Sequence, residues 1–175
     1  SDLANTVGNC FNRIVNMTNR YFDGKVPEHG PHVEGSEQYT DAAQRAAGAL
    51  DEAMNRQQLD RACAVGMELV RQIDAYIEAT QPFKLAKDES RLPEVGTILY
   101  NCAEAMRIAS LLLWPVIPGK IETMWRRMGC AAYADALAGR GRGKLDQWTQ
   151  WGQLQPGTVL EKGDALFPRH QAEKG

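Results

Sequence analysis

Two long stretches of this chain repeat apolar residues at alternating steps of four and three, and no other feature narrows the possible folds so far. Leu3, Val7, Cys10, Ile14, Met17 and Tyr21 form the first series, and Leu59, Cys63, Gly66, Val70, Ile73 and Ile77 the second. Such steps stack the residues along one stripe of an α-helix, whereas a strand would need a period of two. A helix that is apolar on one stripe must be covered by other helices, so the spacing predicts an all-α antiparallel bundle.

Punctuation residues set the other elements. Asp23-Gly24 ends the first helix, and residues 25–39, with Pro27, Gly30, Pro31 and Gly35, read as a surface loop. A second helix is expected from Thr40 or Asp41 to about Met54, and a third from about Gln57 to Thr80. Gln81-Pro82 interrupts it, leaving KLAK a short turn before Arg91 and Leu92. Pro93 suits the first turn of a fourth long helix, Glu94 to Trp114, stopped by Pro115 and Pro118. A fifth helix, about Lys120 to Met128, stops at Gly129. Residues 131–147 are small, basic and glycine-rich, and 151–169 carry turns and short extended pieces. The expected organisation is a bundle of about five helices over 1–130. A glycine-rich loop and irregular C-terminal extension, 131–175, would pack back on that bundle, since its segment 151–169 has too few periodic apolar residues to fold alone.

Composition supports a folded globular protein: 43% of the 175 residues are hydrophobic and 24% charged. The longest apolar run, Ile108 to Ile117, is broken by Pro115 and far short of a membrane span, so no membrane partner is expected. The first residues have no basic start or apolar centre of a signal peptide, and their beginning inside a periodic pattern is expected of a cut from a longer chain. Cys10, Cys63, Cys102 and Cys130 are far apart with no CxxC pair, which reads as reduced thiols in a cytoplasmic protein and not as a metal site. A net charge of -2 excludes a broad basic surface, so any contact with nucleic acid has to be local.

No phosphate loop, dinucleotide fingerprint, HExxH or GxSxG motif is present, and His29, His32 and His170 fall in expected loop or tail, so no catalytic site is expected. At about 100° per residue, Asn5, Asn9, Asn12, Asn16 and Asn19 share an arc of roughly 80° on the first helix, with Arg13 and Arg20 at its edge. Asparagine is a poor helix former, and a solvated face would do better with Glu, Lys or Gln. Its amides suit hydrogen bonding to base edges. They equally suit bonding to a neighbouring helix or loop. Phe83, beside Pro82 at an inter-helix corner, offers either a stacking platform or a core residue.

DLANTVGN with Asn12-Arg13 and Asn16-Met17, YFDG, IEATQPFKLAKDE, LLLWPVIPGKIETMW and WGQLQPGTVLEKGDALFPR follow one another along nearly the whole chain. In this order they resemble the region after the catalytic core of methionine tRNA ligases, which are class I aminoacyl-tRNA synthetases. The resemblance implies an anticodon-binding domain that takes the CAU anticodon stem-loop of methionine tRNA. It also implies the base-reading residues: an asparagine and an arginine four apart on the first helix, matching Asn9 and Arg13, and an aromatic matching Phe83. Pro82 matches the proline that shapes the corner. Phe83 stands where the family usually has tryptophan, a larger ring with an indole N–H. The full enzyme implied is cytoplasmic and attaches methionine to its tRNA using ATP with magnesium. This chain would carry no cofactor of its own and would pair with the catalytic domain of the same enzyme. The alternative from the residues alone is a helical protein-interaction module with no RNA binding. With neither nucleotide loop nor metal constellation, the isolated chain is expected to show no methionine-dependent exchange of pyrophosphate into ATP, and exchange above background by pure material would refute the fragment reading.

Overall fold

In the computed structural model the chain is described over residues 2–56, 58–139 and 145–167. The elements are α1 (Asp2–Tyr21), α2 (Ser36–Asn55), α3 (Leu59–Thr80), the single turn α4 (Pro82–Leu85), a 3-10 turn (Glu89–Arg91), α5 (Leu92–Leu113), α6 (Pro118–Arg127), α7 (Ala131–Leu137) and α8 (Leu145–Trp148). No strand forms among the described residues, and one antiparallel bridge joins Lys25 to Val159. The fold is all-α, as the periodicity requires.

The long helices begin and end close to where their punctuation puts them, with two informative differences. Helix α2 starts a turn earlier, at Ser36, whose hydroxyl is 2.7 Å from the buried Tyr76 hydroxyl on α3; a long-range contact fixes this end. Within the stretch read as small and glycine-rich, Ala131–Leu137 is helical, because its alanines favour helix although seven residues are too few to show a period. Gln57, residues 140–144 of the basic glycine-rich run and His170 lie outside the described residues.

Helix α5 is the axis of the molecule. Every residue from Val95 to Leu113 is buried, with α1, α2, α3, α4 and α6 packed around it. Burial on all sides explains why its sequence is apolar around the whole circumference instead of along one stripe. The exceptions, Thr97, Asn101, Glu104, Arg107 and Ser110, descend the helix at steps of four and three, and all five reach a segment outside α5. Thr97 Oγ1 donates to the Pro31 carbonyl in the loop before α2 at 2.9 Å. Asn101 Nδ2 lies 3.4 Å from the Tyr76 hydroxyl. Ser110 Oγ accepts from Trp125 Nε1 of α6 at 2.6 Å.

Two of these groups are charged and fully buried. Glu104 and Arg107 have no exposed side-chain surface and pair at 2.5 Å. The Glu104 carboxylate also accepts the backbone N–H groups of Gly152, Gln153 and Leu154 at 2.8, 3.0 and 3.0 Å. Arg107 donates to the Tyr133 hydroxyl at 3.0 Å, to the Gln150 carbonyl at 2.8 Å and to the Trp148 carbonyl. Burial works against its charge, but Glu104 outweighs that and holds the guanidinium pKa above its ordinary value.

Beyond this clamp the chain runs back over the bundle. Leu154, Leu160 and Leu166 are buried in the common core. Val26 N–H donates to the Thr158 carbonyl at 2.8 Å and Leu160 N–H to the Gly24 carbonyl at 2.7 Å, so the segment pairs with the chain just after α1. Arg127 of α6 donates to the Glu161 and Asp164 carbonyls at 2.9 and 3.2 Å, and its guanidinium lies over the Phe11 ring of α1 at 4.9 Å. Gly129, at φ +70°, is required where it stands: a Cβ there would meet Thr158 Cγ2 at 2.5 Å.

Removing one partner of a buried ion pair leaves the other charged and unpaired, at a cost of about 3 to 5 kcal/mol. Glu104→Ala is therefore expected to lower unfolding free energy by that amount and to open the chain after Trp148 to protease, since three backbone donors lose their acceptor as well. A loss under about 1 kcal/mol in a denaturant titration, with an unchanged cleavage pattern, would show that the pair does not hold the segment.

Candidate nucleic-acid interface

Helix α1 is covered on two sides. Val7, Cys10 and Ile14 are buried toward the bundle, where Cys10 Sγ lies 3.9 Å from the Val70 carbonyl of α3. Phe11 and Val15 are also buried, Phe11 beneath the Arg127 guanidinium, and the Phe167 ring of the C-terminal segment closes on Gly8, where a Cβ would meet it at 3.0 Å. What remains open is the asparagine arc and its arginine edge. Asn5, Asn9 and Asn16 are exposed, and Asn12 and Asn19 half-buried. Asn19 serves structure: its Nδ2 donates to the Val15 carbonyl at 2.9 Å and to the Leu160 carbonyl at 3.0 Å, tying α1 to the C-terminal segment. The arc thus divides, with its last member spent inside the fold and three others facing solvent.

The corner beside this arc is built by Gln81. Residues before proline avoid the right-handed helical region, and Gln81 takes the left-handed one, φ 47° and ψ 56°. Its N–H still closes α3 onto the Ile77 carbonyl at 2.9 Å, while its carbonyl accepts from Lys84 N–H at 2.8 Å and starts α4 in a new direction. Pro82, which has no N–H to lose, is buried at the turn. Phe83 follows on the outside and keeps 36% of its surface exposed, unusual for a phenylalanine at a helix junction.

Arg13 and Phe83, seventy residues apart in sequence, line one open groove of about 260 Å³ together with Asn16, Met17, Arg20 and Tyr21. Asn9 is exposed one turn before Arg13 on the same helix and does not line the groove. Arg13 is held from behind by α3, with Nη1 2.9 Å from Asp74 and Nη2 2.6 Å from Glu78. Partial burial works against its charge, but the hydrogen bonds and charges of Glu78 and Asp74 outweigh it and keep the pKa above the ordinary arginine value. The result is a permanently charged, oriented fork whose remaining N–H groups are free to meet an acceptor. Arg20 lies over the Tyr21 ring, 5.6 Å from its centroid. An open groove with two guanidiniums, an amide and two aromatic faces, lined by no carboxylate, can stack flat rings and donate to carbonyl or phosphate oxygens.

Met17 and Tyr21 are the groove residues that periodicity assigns to the buried stripe. They stand at its edge and near its end, where the bundle stops covering α1, and the four-three pattern carries no signal of that. Asp74 and Glu78, which hold Arg13 from α3, were missed by sequence reasoning because their partner lies on another helix about sixty residues away. Among the described residues, no group of three or more His, Cys, Asp or Glu is placed to hold a metal ion, and no helix is long and apolar enough to cross a membrane.

No protein-family model matches the chain. It is 35% identical over 99% of its length to a methionine–tRNA ligase of Caldanaerobacter subterraneus subsp. tengcongensis, of which it spans 26%. Against the methionine–tRNA ligase of Bacillus subtilis it is 33% identical over 99% of its length, spanning 25% of that protein. The chain thus spans about a quarter of the length of these curated relatives. The crystal structure of free methionyl-tRNA synthetase from Mycobacterium tuberculosis superposes with a TM-score of 0.81 at 27% identity, over 98% of this chain and 33% of that one. The same enzyme bound by methionyl-adenylate gives 0.79 at 26% identity, over 96% of this chain and 32% of that one. Matched along nearly its whole length in both sequence and fold, the chain belongs to the methionine–tRNA ligase family, as the counterpart of a C-terminal part of those enzymes.

Proposed function

We propose that this chain is the part of a methionine–tRNA ligase that takes the anticodon stem-loop of methionine tRNA and reads CAU. The observation that carries the reading is the meeting of Arg13 and Phe83 in one solvent-open groove, from helices distant in sequence. Arg13, fixed by Asp74 and Glu78, presents donors to the edge of the first anticodon base, with the Asn9 amide one turn away. Phe83 supplies the ring on or beside which that base stacks, and Pro82 sets the angle of the corner. A cytosine edge offers acceptors that a guanidinium and an amide can satisfy together, while stacking accepts any base. In the whole enzyme, a catalytic domain on the same chain would use ATP with magnesium to attach methionine to the tRNA in the cytoplasm. The part described by these residues would supply recognition and no chemistry.

The two kinds of contact should fail differently. Arg13→Ala is expected to weaken binding of a CAU stem-loop by about 1 to 3 kcal/mol and to shrink its preference over a first-base variant, as loss of a base-edge contact does. Because that substitution also leaves Asp74 and Glu78 facing the RNA, the preference between the two RNAs is the informative quantity, not total affinity. Asn9→Ala should act in the same direction. Phe83→Ala should weaken both RNAs about equally, and Phe83→Trp should hold or raise affinity by enlarging the ring. Titrations with proteins of matched helical circular dichroism and melting temperature decide it. An unchanged preference in Arg13→Ala would remove base reading from this arginine, and failure of the unaltered chain to bind either RNA at low salt would favour a protein-docking surface.

A further inference from the structure

The groove holds two arginines in opposite electrostatic conditions. Arg13 shares its charge with Asp74 and Glu78, so the trio carries a net negative charge and cannot by itself draw in a phosphate. Arg20 is exposed and has no carboxylate within ion-pair distance among the described residues. It rests instead on the face of Tyr21, which supports the guanidinium plane without neutralising it. Seven residues separate the two arginines, which returns Arg20 to nearly the same face about 10 Å farther along the helix. That offset is comparable to the reach from a base edge to the sugar–phosphate backbone. The chain as a whole carries a net charge of -2, so attraction for a polyanion has to come from such local, uncompensated cations.

We infer that Arg20, supported by Tyr21, is a backbone-phosphate contact for the RNA strand whose base Arg13 meets, dividing the groove into a reading end and a charge-attracting end. This rests on the anticodon reading above and adds a residue and a role to it. A phosphate contact positions the strand but carries no sequence information, so its loss has a signature that loss of a base contact lacks.

The test measures stem-loop affinity from 50 to 200 mM salt for the unaltered chain, Arg20→Gln and Arg20→Lys, each with CAU and with a first-base variant. Arg20→Gln is expected to make the negative slope of log affinity against log salt shallower by about 0.7, the value for one phosphate in a single strand. Its binding defect should therefore shrink about 2.6-fold between the two salt concentrations. The ratio of affinities for the two RNAs should not change, and Arg20→Lys should restore the slope. An unaltered slope in Arg20→Gln, with the parent chain binding normally, overturns the inference alone, and so does a change in the ratio, which would make Arg20 a base reader. If the parent chain binds neither RNA at 50 mM salt, the anticodon reading fails and this inference with it. The Arg20 side chain is exposed and makes no hydrogen bond among the described residues, and matched melting temperatures will exclude loss of structure as the cause.

Discussion

Two opposite charges shut away from water, Glu104 and Arg107, decide where the last part of the chain goes. Burying an ion pair is costly, and an apolar pair of similar volume would serve the stability of α5 as well or better. An apolar pair could not, however, accept the N–H groups of residues 152–154 or donate to the carbonyls of Trp148 and Gln150. Buried backbone groups need partners, so the irregular segment can lie against α5 only where these side chains meet it. From that seat Leu154, Leu160 and Leu166 reach the core and the segment comes to rest on α1. The clamp in the centre thus determines which face of α1 is covered, and by subtraction which face is left open to a ligand.

The open face is framed by rigid neighbours. A left-handed Gln81 redirects the chain, Pro82 is packed at the turn, and Phe83 is carried out on a helical turn instead of a loose loop. Opposite it, two carboxylates from α3 hold the guanidinium of Arg13. A long arginine free in solvent would lose rotamer entropy on meeting a base, whereas one already held by two partners has lost much of it on folding. The same carboxylates remove the attraction for phosphate that a free arginine would have. Orientation is gained where attraction is given up.

Much of this was legible in the sequence, and the rest was not for identifiable reasons. The steps of four and three located α1 and α3 and their buried stripes, and Gln81-Pro82 located the corner, because these are local consequences of helix geometry and proline chemistry. Asn9, Arg13, Pro82 and Phe83 came from resemblance, with the outward facing of Asn9 and Arg13 readable from their spacing. Periodicity could not show that Asn19 bonds to the Leu160 carbonyl, since nothing local distinguishes it from the other asparagines of the arc. Nor could it show the polar ladder of α5, whose partners lie up to 66 residues away in sequence. Met17 and Tyr21 were read as core for a similar reason: a stripe says which side of a helix is apolar, but not where along its length the covering ends.

On the proposed reading, a chain of net charge -2 would face a problem of attraction, because every phosphate brought near it would be repelled on average. The groove answers this locally: carboxylates are kept off its lining, and the two near it are turned into Arg13 at 2.9 and 2.6 Å. A surface uniformly basic would hold RNA of any sequence, and its affinity would fall steeply with salt. Confining uncompensated charge to a few positions leaves a larger share of the binding free energy to stacking and to donors aimed at a base edge, and those are the terms that separate one anticodon from another. Low overall charge is therefore consistent with recognition at this groove, and it sets the condition under which a small number of contacts can be selective.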